Sequence, residues 1–125
     1  MRIRANLVIA SLTLCAVGCA LPTVTVTPLG AGARYGATPD NVPIPLFATL
    51  RPECAYDELA TITAEGPMED KVLPALIAEA RAMGAHAIVG YTQGTRAGSS
   101  SSGSSSDVHV RNGTAVRFRS ADCMK

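Results

Sequence analysis

The chain has 125 residues, of which 47% are hydrophobic and 17% charged, with a formal net charge of +1. This length suits one domain and is short for two domains of ordinary size. The near-neutral charge, without a cluster of Lys or Arg, argues against a nucleic-acid partner. Trp is absent and aromatic residues make up 4% of the chain, so a stacking platform for sugars or bases is not expected.

The first 18 residues have the pattern of a secretory signal peptide. Arg2 and Arg4 precede an apolar run, Leu7–Val17, that ends in small residues. This run has 11 residues, whereas a membrane-spanning helix needs about 20. We therefore expect residues 1–18 to be removed on export and not to persist as an anchor.

The segment Ala16-Val17-Gly18-Cys19 resembles a bacterial lipobox, in which the cysteine is lipidated and becomes the first mature residue. Cys15 is the poorer candidate because a bulky leucine precedes it. We expect a lipid on Cys19; the alternative is an ordinary signal peptide cut near Ala20. Ala20, in place of Asp, resembles the pattern of outer-membrane lipoproteins, so we expect an anchor in that membrane with the domain facing the periplasm.

The remaining cysteines predict a disulfide. Removal of the signal leaves 107 residues with nine basic and ten acidic side chains, a net charge of about −1. With Cys15 removed and Cys19 lipidated, Cys54 and Cys123 form an even pair in an exported chain. Their bond would close a loop of about 70 residues and contribute roughly 4 kcal/mol on the chain-entropy model. Free thiols or a metal site are the alternatives, but the chain has two His and no Cys-x-x-Cys pair.

The first mature segment is rich in Thr, Gly, Ala and Pro. We interpret residues 19–41 as the lipidated N-terminus and a flexible tether, with an extended arm that adds an edge strand as the alternative. The single domain then spans residues 42–125. Its first predicted strand is Val42–Leu50, in which Pro43 and Pro45 restrict one end to a sheet edge.

A second strand and a helix follow. Leu59–Ala64 has strand alternation, and apolar residues at helical spacing predict a helix over Asp70–Met83. Gly84 stands where a C-terminal cap belongs. Because Pro74 is tolerated only in a first helical turn, we expect the regular helix to begin near residues 71–73.

The chain after the helix predicts two more strands. Ala87–Gln93 would complete a βαβ unit with a parallel strand pair, and the low-complexity residues 94–107 predict a disordered Gly/Ser loop. A flexible recognition loop is the alternative there. Thr114–Ser120 alternates as a half-buried strand, with Asn112-Gly113 as a two-residue hairpin turn before it. That turn would put His109 on the core face, in conflict with the alternation of its neighbours.

These elements predict an α+β fold. We expect a small mixed β-sheet of about four strands with one main helix, in a β-β-α-β-β order, closed by one disulfide.

Few residues suggest chemistry, and no nucleophile, phosphate-binding or zinc-protease motif occurs. His86 is expected as a partly buried turn residue, and Asp107 with His109 as solvated residues with a cation site as the alternative. An acidic cluster at the first turn is expected to be solvated, with a paired-carboxylate hydrolase as the alternative. It consists of Glu53, Asp57 and Glu58. Asn112-Gly113-Thr114 also matches the glycosylation acceptor pattern. We expect no catalytic residue, no metal site and no cofactor.

Three stretches resemble a known family. They are Tyr56–Ile62, the segment Ala80–Val89 that reads ARAMGAHAIV, and the closing strand before Cys123. This order resembles small α/β bacterial lipoproteins of unknown function, related to the YbjQ-like fold and to the Rcs envelope-stress sensor. The resemblance covers residues 42–123 and implies the fold. It differs from the Rcs sensor in its two domain cysteines and short tether, so a signalling role is not implied.

The sequence thus predicts a lipid-anchored module of the cell envelope that faces the periplasm and binds or senses without catalysis. Its expected partners are the membrane, through the lipid, and an envelope protein. One alternative is a structural or assembly lipoprotein that forms oligomers, because YbjQ-like domains resemble proteins that build oligomers. The other alternative is a cell-envelope enzyme.

Overall fold

The structure, a computed structural model, describes residues 21–30, 35–97 and 107–124. The predicted signal peptide and Cys19 lie outside these ranges. In chain order the elements are β1 (Thr23–Pro28), β2 (Leu46–Phe47), β3 (Tyr56–Gly66), α1 (Glu69–Ala82), β4 (Ala87–Ala97), β5 (Asp107–Phe118) and a 3-10 helix (Ala121–Met124). The predicted α+β class is confirmed, with five strands where about four were expected.

The sheet has the strand order β1-β3-β5-β4-β2. β2 and β4 are parallel, and the other neighbouring pairs are antiparallel. The predicted βαβ unit is present as β3-α1-β4, but the expectation of a directly paired parallel couple was wrong. β5 lies between β3 and β4 and is antiparallel to both, which makes the unit a split βαβ.

The segment predicted to be a flexible tether is partly folded. Thr23–Pro28 forms β1 at a sheet edge, so the edge-strand alternative is correct for these residues. The alternation of Thr and Val suits a strand with one face on the core. Further along, Thr38 is buried, and its hydroxyl donates to the carbonyl oxygen of Ala85 at 2.6 Å. The folded domain therefore includes residues before position 42.

The strand predicted over Val42–Leu50 is much shorter in the structure. Only Leu46–Phe47 pairs with β4. Pro43 and Pro45 have no N–H to donate, although the carbonyl of Pro45 accepts from the N–H of Ile88 at 3.0 Å. Backbone pairing in this stretch is limited by its two prolines.

The predicted helix is confirmed with a different start. α1 begins at Glu69, so the expected start near residues 71–73 was wrong. Pro74 is the sixth helical residue and is exposed. The carbonyl of Asp70, which loses its helical partner because of this proline, belongs to an exposed residue that water can reach. The missing hydrogen bond is therefore tolerated at the surface.

β4 and β5 extend into the region predicted as a Gly/Ser loop. β4 continues to Ala97 and β5 begins at Asp107, so the loop is shorter than residues 94–107. Residues 98–106 lie outside the described ranges.

The predicted Asn112-Gly113 hairpin turn was wrong. Both residues lie inside β5, where a Cβ on Gly113 would stand 2.2 Å from Cγ2 of Ile88. Glycine is present because a core side chain crosses it closely, and not because the chain turns. The apparent conflict at His109 disappears, since this residue simply pairs with Gly66 on β3 and Thr95 on β4.

Apolar side chains cover both faces of one part of the sheet. The main core lies between α1 and the sheet, and its largest fully buried side chains include Ile62, Leu76, Ile88 and Val72. A smaller cluster lies on the opposite face, around Ala87, Val89 and Val116, with three rings packed against it. These rings belong to Phe47, Tyr56 and Phe118.

The predicted disulfide is present between Cys54 and Cys123, with their Cα atoms 6.1 Å apart. It joins the segment before β3 to the C-terminal 3-10 helix. Within the described ranges, no helix has the length and apolar composition needed to cross a membrane.

Candidate functional site

The site with the most distinctive chemistry is a cavity of about 300 Å³ at the disulfide end of the sheet. The segment before β2 supplies one wall, and the other comes from the start of β4, the end of β5 and the disulfide. Its lining residues are Val42, Pro43, Ile44, Pro45, His86, Phe118 and Cys123. We call this the disulfide cavity. It is mainly apolar, and its single titratable side chain is His86.

Backbone hydrogen bonds fix both walls of the cavity. The N–H of His86 donates to the carbonyl of Val116 at 2.8 Å, which begins the pairing of β4 with β5. The bond between Ile88 and Pro45 holds the proline segment against the far side of β4. Two separate parts of the chain are thereby held at a fixed distance across the cavity.

His86 lines the cavity as a neutral imidazole with one ring N–H. Its Nδ1 accepts the backbone N–H of Phe118 at 3.1 Å, so the ring hydrogen resides on Nε2. Burial, assisted by the positive charge of Arg117, lowers the pKa of His86 below its ordinary value of 6.5. The ring lies 5.8 Å from the Phe118 ring, centroid to centroid, at a tilt of 35°. This arrangement offers one N–H donor beside an aromatic surface.

Arg117, on the central strand β5, is held by two contacts. One guanidinium N–H donates to the carbonyl of Gly84 at 2.8 Å, and Cζ lies 4.3 Å from the centre of the Tyr35 ring. The guanidinium thus satisfies the end of α1 and stacks on the segment that precedes β2. Its place near His86 is structural, and it keeps a positive charge close to the imidazole.

The acidic cluster from the sequence does not converge. Asp57 pairs with Arg119, with Nη2 and Oδ1 2.8 Å apart. Glu58 follows Asp57 directly in β3, so the two side chains point to opposite faces of the sheet. Glu53 is exposed in the preceding segment. All three carboxylates are exposed, and Asp57 and Glu58 do not face a common site as the two carboxylates of a hydrolase do.

Asp107 and His109 lie near the start of β5. Asp107 is exposed, and His109 borders a small polar depression where Arg111 pairs with Glu69, Nη2 to Oε1 at 3.2 Å. No cluster of three or more His, Cys, Asp or Glu suitable for a metal ion occurs in residues 21–30, 35–97 and 107–124. The solvated interpretation of Asp107 fits its exposure.

A wider groove runs along the outer side of α1. Its volume is about 530 Å³, and Arg81 crosses it to donate to the carbonyl of Val42 at 2.8 Å and to that of Pro39. Arg81 therefore uses its donors on the chain itself. The segment that contains Thr38 forms one side of the groove, and α1 forms the other.

The disulfide cavity was only partly foreseeable. The cysteine count predicts the bond, and the position of His86 between a helix cap and a strand predicts a half-buried histidine. Pro43 and Pro45 were visible as strand-limiting residues, but no local pattern indicates that they face His86 and Phe118. That contact depends on the parallel pairing of β2 with β4, which joins residues about 40 positions apart.

No family model matches the chain, and no curated protein matches it. Its fold is similar to that of a Francisella virulence factor, FvfA, in a crystal structure of the orthorhombic form. The two share 18% sequence identity with a TM-score of 0.52, over 79% of this chain and 99% of that chain. At this identity the likeness concerns the fold alone.

Proposed function

We propose that this protein is an exported, lipid-anchored binding module of the bacterial cell envelope, with its lipid on Cys19 and its domain facing the periplasm from the outer membrane. The export-type N-terminus and the lipobox pattern support the anchor. The resemblance to small α/β lipoproteins supports the same assignment. A Cys54–Cys123 bond suits an oxidising compartment such as the periplasm.

The observation that carries the proposed binding role is the disulfide cavity. Its walls are mainly apolar, and among its lining side chains the one N–H donor is the ring of the neutral His86, whose Nδ1 is already engaged by Phe118. The volume suits an apolar side chain or a small apolar group that carries one hydrogen-bond acceptor. The lining offers no second titratable group to share a proton with His86, which favours binding over acid–base catalysis.

The position of β1 supports a module that works close to a membrane surface. Thr23, the first residue of β1, is only four residues beyond Cys19. Four residues span at most about 14 Å. A lipid on Cys19 would therefore hold the sheet edge near the membrane, because β1 begins inside the tether expected over residues 19–41.

The anchor is tested by metabolic labelling with a palmitate analogue in the full chain, in Cys19→Ala and in Cys15→Ala. We expect label in the parent and in Cys15→Ala, and none in Cys19→Ala. Equal labelling of the two variants, or an unlabelled parent, would refute the lipid anchor.

The cavity is tested by a photo-crosslinking amino acid at Pro43, an exposed residue of its rim. The control carries the same group at Asp70, on the exposed start of α1. We expect a discrete envelope adduct from Pro43 alone, and loss of that adduct when Val42→Trp fills the cavity. The same adducts from both positions, or adducts that persist with Val42→Trp, would show that the cavity is not the binding surface.

A further inference from the structure

The outer side of β1 is an open sheet edge. β1 stands at the end of the strand order and pairs with β3 alone, and no described residue pairs with its other side. Of the five large hydrophobic residues that are exposed in the described ranges, three lie in or beside β1, namely Leu21, Val26 and Leu29. The stretch Leu21–Gly30 contains no charged residue. Soluble proteins usually protect long open edges with charges, bulges or covering segments, so an uncharged open edge indicates an interaction surface.

The backbone groups that face outward can be assigned. The N–H of Leu29 donates to the carbonyl of Leu59 at 3.1 Å, so residue 29 points its backbone groups toward β3. In an antiparallel strand this direction alternates, and the register pairs Thr27 with Thr61 and Thr25 with Thr63. The odd residues of β1 therefore bond to β3, and Val24 and Val26 present their N–H and C=O groups outward.

The sequence of β1 and its flanks is palindromic. Residues 22–28 read Pro-Thr-Val-Thr-Val-Thr-Pro in both directions, with Thr25 at the centre. From this symmetry and the open edge we propose that two copies of the chain associate through antiparallel pairing of their β1 strands, with the two-fold axis at Thr25.

The pairing satisfies the outward N–H and C=O groups of both valines. Val24 lies opposite the second copy's Val26, and these residues exchange both of their hydrogen bonds, as do Val26 and the second copy's Val24. Thr25 faces the second copy's Thr25 in a non-hydrogen-bonded pair. Valines meet valines on the helix side and threonines meet threonines on the other side, which are favourable cross-strand pairs.

The flanking prolines give the ladder a fixed length. Pro22 and Pro28 stand at even-numbered positions, as Val24 and Val26 do, so their nitrogen atoms also face away from β3. Proline is tolerated on this outer side of an edge strand. Neither can donate, and the ladder stops after four hydrogen bonds. Both copies use the same edge in this two-fold pairing, so neither β1 edge is left open. Association therefore closes at a dimer with a ten-stranded sheet.

The register is tested with cysteine variants of the full chain, expressed in the envelope and oxidised mildly. Opposed Cα atoms of a non-hydrogen-bonded pair are about 4.5 Å apart, which lies within the range of a disulfide. We expect Thr25→Cys to form a covalent dimer. Thr23→Cys is the matched control: its two copies lie about 14 Å apart in this register, four residues along the strand. We expect it to stay monomeric alone and to link with coexpressed Thr27→Cys.

A second variant keeps the test independent of cysteine chemistry. Val26→Pro removes an outward N–H and leaves the ladder with β3 intact, so we expect it to fold and to abolish the Thr25→Cys dimer. Sedimentation of the purified chain should shift toward twice the monomer mass with rising concentration, and Val26→Pro should remove that shift.

Three results would overturn the proposal: equal crosslinking of Thr25→Cys and Thr23→Cys, a Thr25→Cys adduct of a different protein's mass, or a chain that stays monomeric at every concentration. The parent chain, run beside the variants, reports any dimer made by an unlipidated Cys19. Failure of the lipid anchor is therefore distinguished from failure of the strand pairing.

Discussion

Gly84 connects α1 to β4 in a conformation that other residues adopt at a cost. Its φ is +82°, and its N–H bonds to the carbonyl of Arg81, while that of Ala85 bonds to the carbonyl of Ala80. These are the two bonds of a Schellman motif. A Cβ at Gly84 would lie 2.7 Å from the carbonyl oxygen of Gly36 and from Cβ of Tyr35. The residue therefore ends the helix and admits the segment that packs against it.

We expect Gly84→Ala to lower the free energy of unfolding by about 3 kcal/mol. The left-handed conformation costs alanine roughly 1–2 kcal/mol, and the displaced backbone of Gly36 adds an overpacking cost of similar size. Gly90→Ala is the matched control, since Gly90 has φ +62° but nothing within 4 Å of a new Cβ. Its loss should be about 1 kcal/mol. Equal losses in urea unfolding would show that the contact with Gly36 is unimportant.

His86 makes stability depend on pH in a definite direction. Burial and Arg117 lower its pKa in the folded state below 6.5, so the unfolded chain binds the proton more readily. The contribution of neutral His86 is complete above pH 6.5 and is lost as the pH falls below 6.5 toward the folded-state pKa. Protonation also removes the Nδ1 lone pair that accepts the N–H of Phe118.

His86→Asn separates this titration from the hydrogen bond. The amide oxygen of Asn can still accept the N–H of Phe118, but the side chain does not titrate. We expect the parent to lose more stability than the variant between pH 7.5 and pH 5.5 in urea unfolding. Other titrating groups are common to both chains and cancel in the difference. Parallel curves of stability against pH would mean that the pKa of His86 is not lowered in the folded state.

At the scale of elements, the pairing of β5 with β4 brings Gly113 into close contact with a core side chain. Gly113 lies within the strand and accommodates Cγ2 of Ile88 from β4. We expect Gly113→Ala to cost about 1–3 kcal/mol by overpacking. Gly94→Ala is the control, because a Cβ added at Gly94 in β4 would have no atom within 4 Å. We expect it to change the free energy of unfolding by less than about 0.5 kcal/mol.

Ile88→Ala provides the cross-check for this contact. It removes the atom that Gly113→Ala would strike, so the second substitution should cost less in its presence. The difference between the two costs is a coupling energy measured by a double-mutant cycle. A coupling energy of zero would mean that Gly113→Ala destabilises the chain through backbone strain and not through the contact with Ile88.

The contrast between Gly84 and Gly113 shows how far local sequence patterns predict elements. Gly84 was predicted correctly as a helix end because the helical period stops there and the requirement is local. The Asn112-Gly113 pair has the same composition as a hairpin turn, but its role is set by Ile88, which lies on another strand. Patterns of period 2 and 3.6 predicted α1 and the centres of β3 and β4. They did not predict that β5 lies between those strands, since long-range pairing determines strand order.

At the scale of the whole molecule, the two candidate surfaces lie at opposite ends of the strand order. β1 forms one edge of the sheet, and the disulfide cavity includes residues beside β2, at the other edge. A ligand in the cavity and a second copy on β1 would therefore occupy separate surfaces. This separation lets Val42→Trp and Val26→Pro test the two proposals independently.

The Cys54–Cys123 disulfide links the segment before β3 to the C-terminal 3-10 helix across a sequence separation of 69 residues. On the chain-entropy model a loop of this length is worth about 4 kcal/mol. That is a large share of the roughly 5–15 kcal/mol that stabilises a domain. We expect the Cys54→Ala/Cys123→Ala chain to unfold at a clearly lower urea concentration than the oxidised parent.

The reduced parent separates the covalent link from the packing of the two side chains. If the link limits the unfolded state, the reduced parent and the double alanine variant should unfold at similar urea concentrations, and reductant should not affect the variant. The oxidised and reduced parents should also differ in mass by about 2 Da, the two thiol hydrogens lost on bond formation. An oxidised parent that unfolds together with the double variant would mean that the disulfide contributes little. The walls of the cavity would then depend on the bonds of His86 and Pro45 alone.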